Sequence, residues 1–171
     1  TPTSSSAASD VYKRQDINYS GNENPAISES ENIYDKKFFP NLKLSYSENI
    51  INNLNSIPIL YVNEIGFKKY YSKEEVIHKV NLVAKYLRSI GVKKGDRVVG
   101  IVTNNAETLI SFLAVNSIGA VWSSCSPDFG EQAILDRFSQ IEPKILFYSS
   151  SYMYGGKKFK ILEKASGINC E

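Results

Sequence analysis

The chain has 171 residues, enough for about one domain, and its 42% hydrophobic and 22% charged residues are typical of a globular protein. The net charge of +2 is too small to indicate nucleic-acid binding, and no apolar run approaches the ~18 residues of a transmembrane helix. Two cysteines and one histidine exclude a disulfide framework and a cysteine- or histidine-rich metal site. We therefore expect neither nucleic acid nor a membrane as partner and, since no secretory signal is visible, a cytoplasmic protein.

The first 35 residues are predicted to lack a packed core. Residues 1–15 are a Ser/Ala/Thr-rich stretch followed by DVYKRQ, which resembles the translation of an adapter used in DNA library preparation. We interpret them as a sequencing artefact that forms a disordered tail. Residues 16–35 are polar, with scattered acidic side chains, and are predicted to be a flexible segment. The folded part is predicted to span residues 36–171.

The first predicted elements of the folded part are a short helix, a hairpin and a long helix. Ser47 is a candidate N-cap for a helix over residues 48–54, which Pro58 helps to terminate. A short apolar run at 59–63 and a returning run at 67–71 flank a glycine-containing turn and predict a hairpin. A capping box at Ser72 begins the long helix, which Gly91 ends.

Alternating strands and helices follow. Nearly continuous apolar runs are typical of strands buried on both faces of a parallel sheet, and they occupy residues 97–103, 120–124 and 144–148. Helices are predicted over 106–118 and 131–140, a polar loop over 149–158 and a last helix from Phe159. This β-α-β-α-β order predicts an α/β fold with flanking helices. The predicted sheet core includes Val99, Ile101, Val121, Trp122, Ile145 and Phe147.

Ligands of such sheets bind beyond the carboxyl ends of the strands. Three loops follow the predicted strands there: 104–105, 125–130 and 149–158. The sequence contains neither G-x-G-x-x-G after a strand nor a Walker A motif. We therefore expect any site on these three loops rather than at a known phosphate-binding motif.

Two of these loops carry candidate chemistry. Residues 155–158, GGKK, form either a solvated turn or an anion site, since glycine amides and lysine ammonium groups both attract phosphate. In the loop 125–130, Asp128 is a candidate cap for the next helix. Cys125 is a poor candidate nucleophile, because no histidine lies near it in sequence.

Three segments of the chain resemble acetoacetyl-CoA synthetases, a branch of the adenylate-forming acyl-CoA synthetase family. They are KKFFPNLKLSYSENII, GVKKGDRV and GAVWSSCSPDFGEQAILDRFSQIEPKILF, and the resemblance covers about residues 34–167. The second segment is shared by the whole superfamily. The WSSCSPDFG stretch is more specific, because acetate-activating members carry a glycine-rich loop there.

The resemblance implies that the chain is the incomplete N-terminal part of the large domain of an AMP-forming ligase. Such enzymes convert acetoacetate, ATP and CoA to acetoacetyl-CoA, AMP and pyrophosphate through an acyl-adenylate, with Mg²⁺ offsetting phosphate charge. The family's phosphate loop, ribose-binding aspartate and adenylation lysine lie downstream, so we expect this fragment to be inactive and to bind none of the cofactors tightly. The alternatives are an acetate- or propionate-type acyl-CoA synthetase and a non-enzymatic α/β binding domain.

The resemblance also places part of the family's CoA site on this chain. The loop after the second strand of the sheet lines the pantetheine channel in the family. In this chain that loop consists of Ser126, Pro127, Asp128 and Phe129.

Basic residues after the third strand hold the nucleotide end of CoA in the family. Lys157 stands where one of the family's arginines would be, and Tyr154 stands at the place of the other. Lys158 follows directly, and a lysine pair supplies charge without the bidentate fork of arginine.

Overall fold

The computed structural model describes residues 17–56 and 59–170. The predictions for residues 1–15 and for Pro58 lie outside the described residues. The chain divides into two compact units between Asn49 and Ile50. Among the described residues, no helix has the length and apolar character needed to cross a membrane.

The first unit contains a small antiparallel pair, β1 (Tyr19–Gly21) and β2 (Leu42–Leu44), with a 3₁₀ turn at Ile33–Asp35 between them. Both β1 and the turn lie within residues 16–35, whose flexibility stays a prediction. Helix α1 (Tyr46–Asn52) begins earlier than predicted. Its first turn is capped by Ser45, whose Oγ accepts from the amide of residue 48 at 3.2 Å.

Ser47 was therefore wrongly predicted as the cap of that helix. It lies within α1 and is buried. The sequence offers two serines two residues apart, and spacing alone does not distinguish which one begins the helix. The α1 helix continues into a 3₁₀ turn over Asn53–Ser56.

The second unit begins with the predicted hairpin, formed by β3 (Ile59–Val62) and β4 (Lys68–Tyr71). Helix α2 (Lys73–Ser89) follows and has the predicted cap, since Ser72 Oγ accepts from the Glu75 amide at 3.2 Å. Gly91 has a φ of +86° just beyond the helix, a conformation in which glycine carries no Cβ penalty.

A three-stranded parallel sheet forms the centre of the second unit, which confirms the predicted α/β class. Its strands are β5 (Arg97–Ile101), β6 (Val121–Cys125) and β7 (Ile145–Tyr148), in the order β6-β5-β7. Helices α3 (Ala106–Ser117) and α4 (Glu131–Ser139) connect them. Asn105 caps α3, because its side chain accepts from the amide of residue 108 at 2.8 Å.

The sheet is fully buried only along its central strand. Val98, Val99 and Ile101 are each 0% exposed. Val98 packs in one apolar cluster, and Val99 and Ile101 pack in another, so helices and loops cover both faces of β5. Val121 was wrongly predicted as core and is 49% exposed, because β6 is an edge strand in the part of the chain that the structure describes. The other predicted edge-strand core residues are half-buried: Trp122, Ile145 and Phe147.

The segment after β7 is not the predicted polar loop. It forms a hairpin of β8 (Ser151–Tyr154) and β9 (Lys157–Lys160), and helix α5 (Leu162–Ser166) begins three residues later than predicted. Gly155 and Gly156 occupy the two-residue turn with φ of +56° and +73°. Two consecutive positive φ values are what a type I′ hairpin turn requires, and glycine supplies them.

Candidate functional site

The loops that follow β5, β6 and β7 surround one open cavity of about 460 Å³ at the carboxyl edge of the sheet. Thr103 and Asn104 line it from the first loop, and Ser126 lines it from the second. Strand β8 supplies Tyr152 and Tyr154 on the remaining side. The sheet therefore brings together the three loops that the sequence indicated, because parallel strands end at the same edge.

Four of the seven predicted site residues line this cavity: Ser126, Pro127, Asp128 and Tyr154. The other three, Phe129, Lys157 and Lys158, are exposed and lie outside the lining. The ring of Phe129 contacts the Arg137 guanidinium, with 5.5 Å between the Cζ atom and the ring centroid.

Loop 126–129 is a tight turn with internal hydrogen bonds. The Phe129 amide donates to the Ser126 carbonyl at 3.3 Å, and Ser126 Oγ donates to Asp128 Oδ2 at 3.1 Å. Pro127 is buried between them. Asp128 does not cap α4 as predicted, because Gly130 occupies the N-cap position and no side chain bonds there.

Asp128 instead bonds toward the cavity. Interaction with its carboxylate raises the pKa of the Tyr152 hydroxyl. The Tyr152 ring stacks on Phe159 with ring centroids 5.3 Å apart. These contacts join loop 126–129 to the β8–β9 hairpin, so the two segments to which the resemblance assigns CoA binding lie side by side.

A lysine that sequence reasoning missed holds the same loop. Lys164 Nζ donates to the carbonyl oxygens of Pro127 at 2.6 Å and of Phe129 at 2.9 Å. Lys164 lies on α5, more than thirty residues away in sequence. No local pattern indicates such a contact, because it depends on where the chain after β9 returns.

The two glycines of the GGKK segment form a hairpin turn, and their amides bind a carboxylate of the protein itself. The Gly155 and Gly156 amides donate to the two carboxylate oxygens of Glu64, at 3.0 and 3.3 Å. Successive amides that face one acceptor form a concavity suited to anions. Glu64 lies in the turn of the β3–β4 hairpin, so this contact joins the two hairpins of the second unit.

Cys125 lies at the end of β6 and also lines the cavity. Burial raises the pKa of its thiol, while the charges of Arg137 and Lys164 act in the opposite direction. His78 is exposed on α2 and does not line the cavity. The raised pKa lowers the thiolate fraction of Cys125 near neutral pH.

Between residues 17 and 170, with the gap at 57–58 set aside, no three His, Cys, Asp or Glu side chains come together as metal ligands.

A family model described as AMP-binding enzyme matches residues 58–168. The chain is 41% identical over 163 residues to a mouse protein named acetoacetyl-CoA synthetase, which covers 93% of this chain and 24% of the relative. A Rhizobium meliloti protein named acetoacetyl-coenzyme A synthetase is 35% identical over 144 residues, which make up 84% of this chain and 22% of the relative. The solved acetoacetyl-CoA synthetase from Streptomyces lividans superposes with a TM-score of 0.84 at 32% identity, covering 91% of this chain and 25% of that one. The chain thus spans about a quarter of the length of these relatives.

Proposed function

Because this chain belongs to the family of AMP-binding enzymes, we propose that it is the N-terminal part of an AMP-forming acetoacetate–CoA ligase. The observation that carries the proposal is 41% identity over nearly the whole chain to a protein named acetoacetyl-CoA synthetase. The two relatives and the solved structure described above all carry that name, which favours acetoacetate over acetate or propionate. A non-enzymatic binding domain has no comparable support.

The proposed reaction has two steps. A carboxylate oxygen of acetoacetate attacks the α-phosphorus of ATP, forming the acyl-adenylate while pyrophosphate leaves. The CoA thiol then loses its proton and attacks the acyl carbon, forming the thioester while AMP leaves. Mg²⁺ is part of the proposal for the full-length enzyme, where it would offset the charge of the ATP phosphates.

The part of the reaction assigned to this chain is the binding of CoA. Ser126, Pro127, Asp128 and Phe129 are proposed to form one wall of the channel for the pantetheine arm. Small side chains and a buried proline suit a narrow, rigid wall, and this loop borders the 460 Å³ cavity.

Tyr154, Lys157 and Lys158 are proposed to lie at the mouth of the channel, where the two ammonium groups attract the phosphates of CoA. The chain alone is proposed to be inactive and to bind none of ATP, CoA and Mg²⁺ tightly. We place the enzyme in the cytoplasm, with small molecules as its partners and neither nucleic acid nor a membrane.

The test uses the full-length enzyme and its two half-reactions. Acetoacetate should support both ATP–pyrophosphate exchange and thioester formation, each with a higher kcat/KM than acetate or propionate gives. Asp128→Trp should fill the channel and depress thioester formation more than exchange. Asn81→Trp, on the exposed side of α2, is the matched control and should change neither. A preference for acetate or propionate would overturn the assignment of the acid, and equal damage to both half-reactions by Asp128→Trp would overturn the channel.

A further inference from the structure

We propose, on the basis of the function proposed above, that Lys164 is a positioning residue that holds loop 126–129 in the shape required for the thioester step. One ammonium group donates to two carbonyl oxygens of this loop, at 2.6 and 2.9 Å. Hydrogen bonds from a charged donor are shorter and roughly twice as strong as neutral ones. The two carbonyls belong to Pro127 and Phe129, so Lys164 fixes the backbone on both sides of Asp128.

The helix that carries Lys164 is itself firmly placed. Ile161 is 0% exposed and Ala165 is 6% exposed, and both pack in the apolar cluster that includes Ile101 and Cys125. The backbone on either side of Lys164 is therefore anchored to the central strand of the sheet. Because α5 is anchored, it cannot follow a movement of loop 126–129. Any such movement would therefore break the hydrogen bonds from Lys164.

The hydrogen bonds from Lys164 also determine the position of the side of loop 126–129 that borders the cavity. With both flanking carbonyls bound to Lys164, the Asp128 side chain accepts from Ser126 Oγ and lines the cavity together with Tyr152. Loss of the ammonium would free the two carbonyls and let the turn open. The wall of the proposed channel would then be misplaced while the rest of the sheet stays intact.

Arg97 provides a matched control, because it makes a similar pair of hydrogen bonds away from the cavity. Arg97 also donates to two carbonyls, those of Ile141 and Glu142, both at 2.7 Å. These carbonyls precede β7, at the amino edge of the sheet and away from the cavity. Loss of Arg97 therefore removes the same number of bonds without touching loop 126–129.

The kinetic test compares Lys164→Met, Lys164→Arg and Arg97→Met in the full-length ligase. Lys164→Met should lower kcat/KM for CoA by about 10- to 100-fold, the cost of a small misplacement near the reacting group, with acid-dependent ATP–pyrophosphate exchange nearly unchanged. Lys164→Arg, which keeps a charged donor, should recover most of the loss. Arg97→Met should affect both half-reactions alike. If Lys164→Met fails to fold, Lys164→Gln, which keeps an N–H donor without charge, takes its place with a smaller expected loss.

A second measurement does not depend on activity. Cys125 directly precedes the loop and is 7% exposed, so its alkylation rate by iodoacetamide, followed by mass spectrometry of its peptide, reports opening of the loop. Loss of the Lys164 charge alone would raise the pKa of the Cys125 thiol and slow the reaction. Faster alkylation in Lys164→Met, by several-fold and not in Arg97→Met, is therefore the expected sign of opening.

Unchanged or slower alkylation, or an equal fall in both half-reactions, would overturn the positioning role. A wild-type enzyme without acetoacetate-dependent activity would overturn the proposed function instead. In that case the alkylation rates still decide whether Lys164 holds the loop.

Discussion

Lys157 and Lys158 are adjacent in sequence but lie on opposite faces of the β8–β9 hairpin. Lys157 pairs with Tyr154 across the hairpin, whereas Lys158 pairs with the residue before it. Successive side chains of a strand point to opposite faces, so Lys157 shares its face with Tyr152 and Tyr154. Tyr152 and Tyr154 line the same cavity as Ser126, Pro127 and Asp128, so that face borders loop 126–129.

Charge reversal of the two lysines should therefore change the apparent KM for CoA by different factors. In the full-length enzyme, Lys157→Glu should raise the apparent KM for CoA about fivefold, the size expected for an exposed charge contact worth up to about 1 kcal/mol. Lys158→Glu should raise the KM by a smaller factor, because Lys158 lies on the opposite face of the hairpin. The effect of Lys157→Glu should shrink at high salt, since exposed charges are screened over ~8–10 Å, and ATP–pyrophosphate exchange should not change. Equal effects of the two variants would contradict the assignment of faces.

Much of the sheet could be predicted from sequence, because burial leaves a direct pattern of apolar residues. The run RVVGI is apolar on both of its alternating faces, and the structure buries both. The run that begins at Val121 was also predicted to be buried, yet β6 is exposed at that residue. Hydrophobicity therefore located the strands, but it did not reveal which strand lies in the centre, since that depends on pairing between distant segments.

Truncating a side chain on the central strand should lower the free energy of unfolding more than truncating one on an edge strand. Ile101→Ala removes a side chain that is 0% exposed and should lower the free energy of unfolding by roughly 2–5 kcal/mol, the transfer cost together with the cavity left behind. Val121→Ala, at a residue 49% exposed, should cost less than about 1 kcal/mol. Urea unfolding of the two variants and the wild type measures both values. Similar costs at the two positions would show that β6 is buried as deeply as β5.

The candidate site was only partly predictable. The loops at the carboxyl edge followed from the strand order, and the resemblance selected loop 126–129. The hairpin turn at Gly155 and Gly156 had a readable signal, because two glycines between aromatic-rich runs favour a type I′ turn. The contacts of Glu64 and Lys164 had none, since each joins segments far apart in sequence through an exposed or half-buried side chain.

A close backbone approach in the middle of β5 gives a further prediction. A Cβ atom added at Gly100 would lie 2.9 Å from Cζ2 of Trp122. The indole is held by Phe147 and Phe112, at ring-centroid distances of 5.9 and 6.4 Å, so it has little freedom to move aside.

Gly100→Ala should therefore displace the Trp122 ring and lower the free energy of unfolding by about 1–3 kcal/mol, as expected for overpacking. The chain contains a single tryptophan, so its fluorescence reports the displacement directly. Gly130→Ala is a suitable control, because a Cβ atom there would meet nothing within 4 Å. An unchanged emission spectrum together with unchanged stability would contradict the packing described here.

The turn before β5 contains an ion pair that should make stability depend on pH. Asp96 Oδ2 accepts from Lys144 Nζ at 2.9 Å and from the Lys93 amide at 2.7 Å. These bonds, the one from Lys144 first, hold the pKa of Asp96 below its ordinary value. Lys144 also donates to the Gly91 carbonyl at 2.8 Å, which ties the start of β7 to the end of α2.

A carboxyl group whose pKa is lower in the folded than in the unfolded state stabilises the fold when it is ionised. The contribution of Asp96 should be complete above the pKa that the group has in the unfolded chain, and it should disappear as the pH falls through the lowered folded value. Asp96→Asn should therefore be less stable than the wild type at pH 7, and the difference should shrink as the pH falls below the ordinary pKa of an aspartate. Urea unfolding at several pH values measures it, with Glu48→Gln as the control, because the Glu48 side chain is exposed on α1. A difference between Asp96→Asn and the wild type that stays constant across this range would contradict the role of the ionised carboxylate.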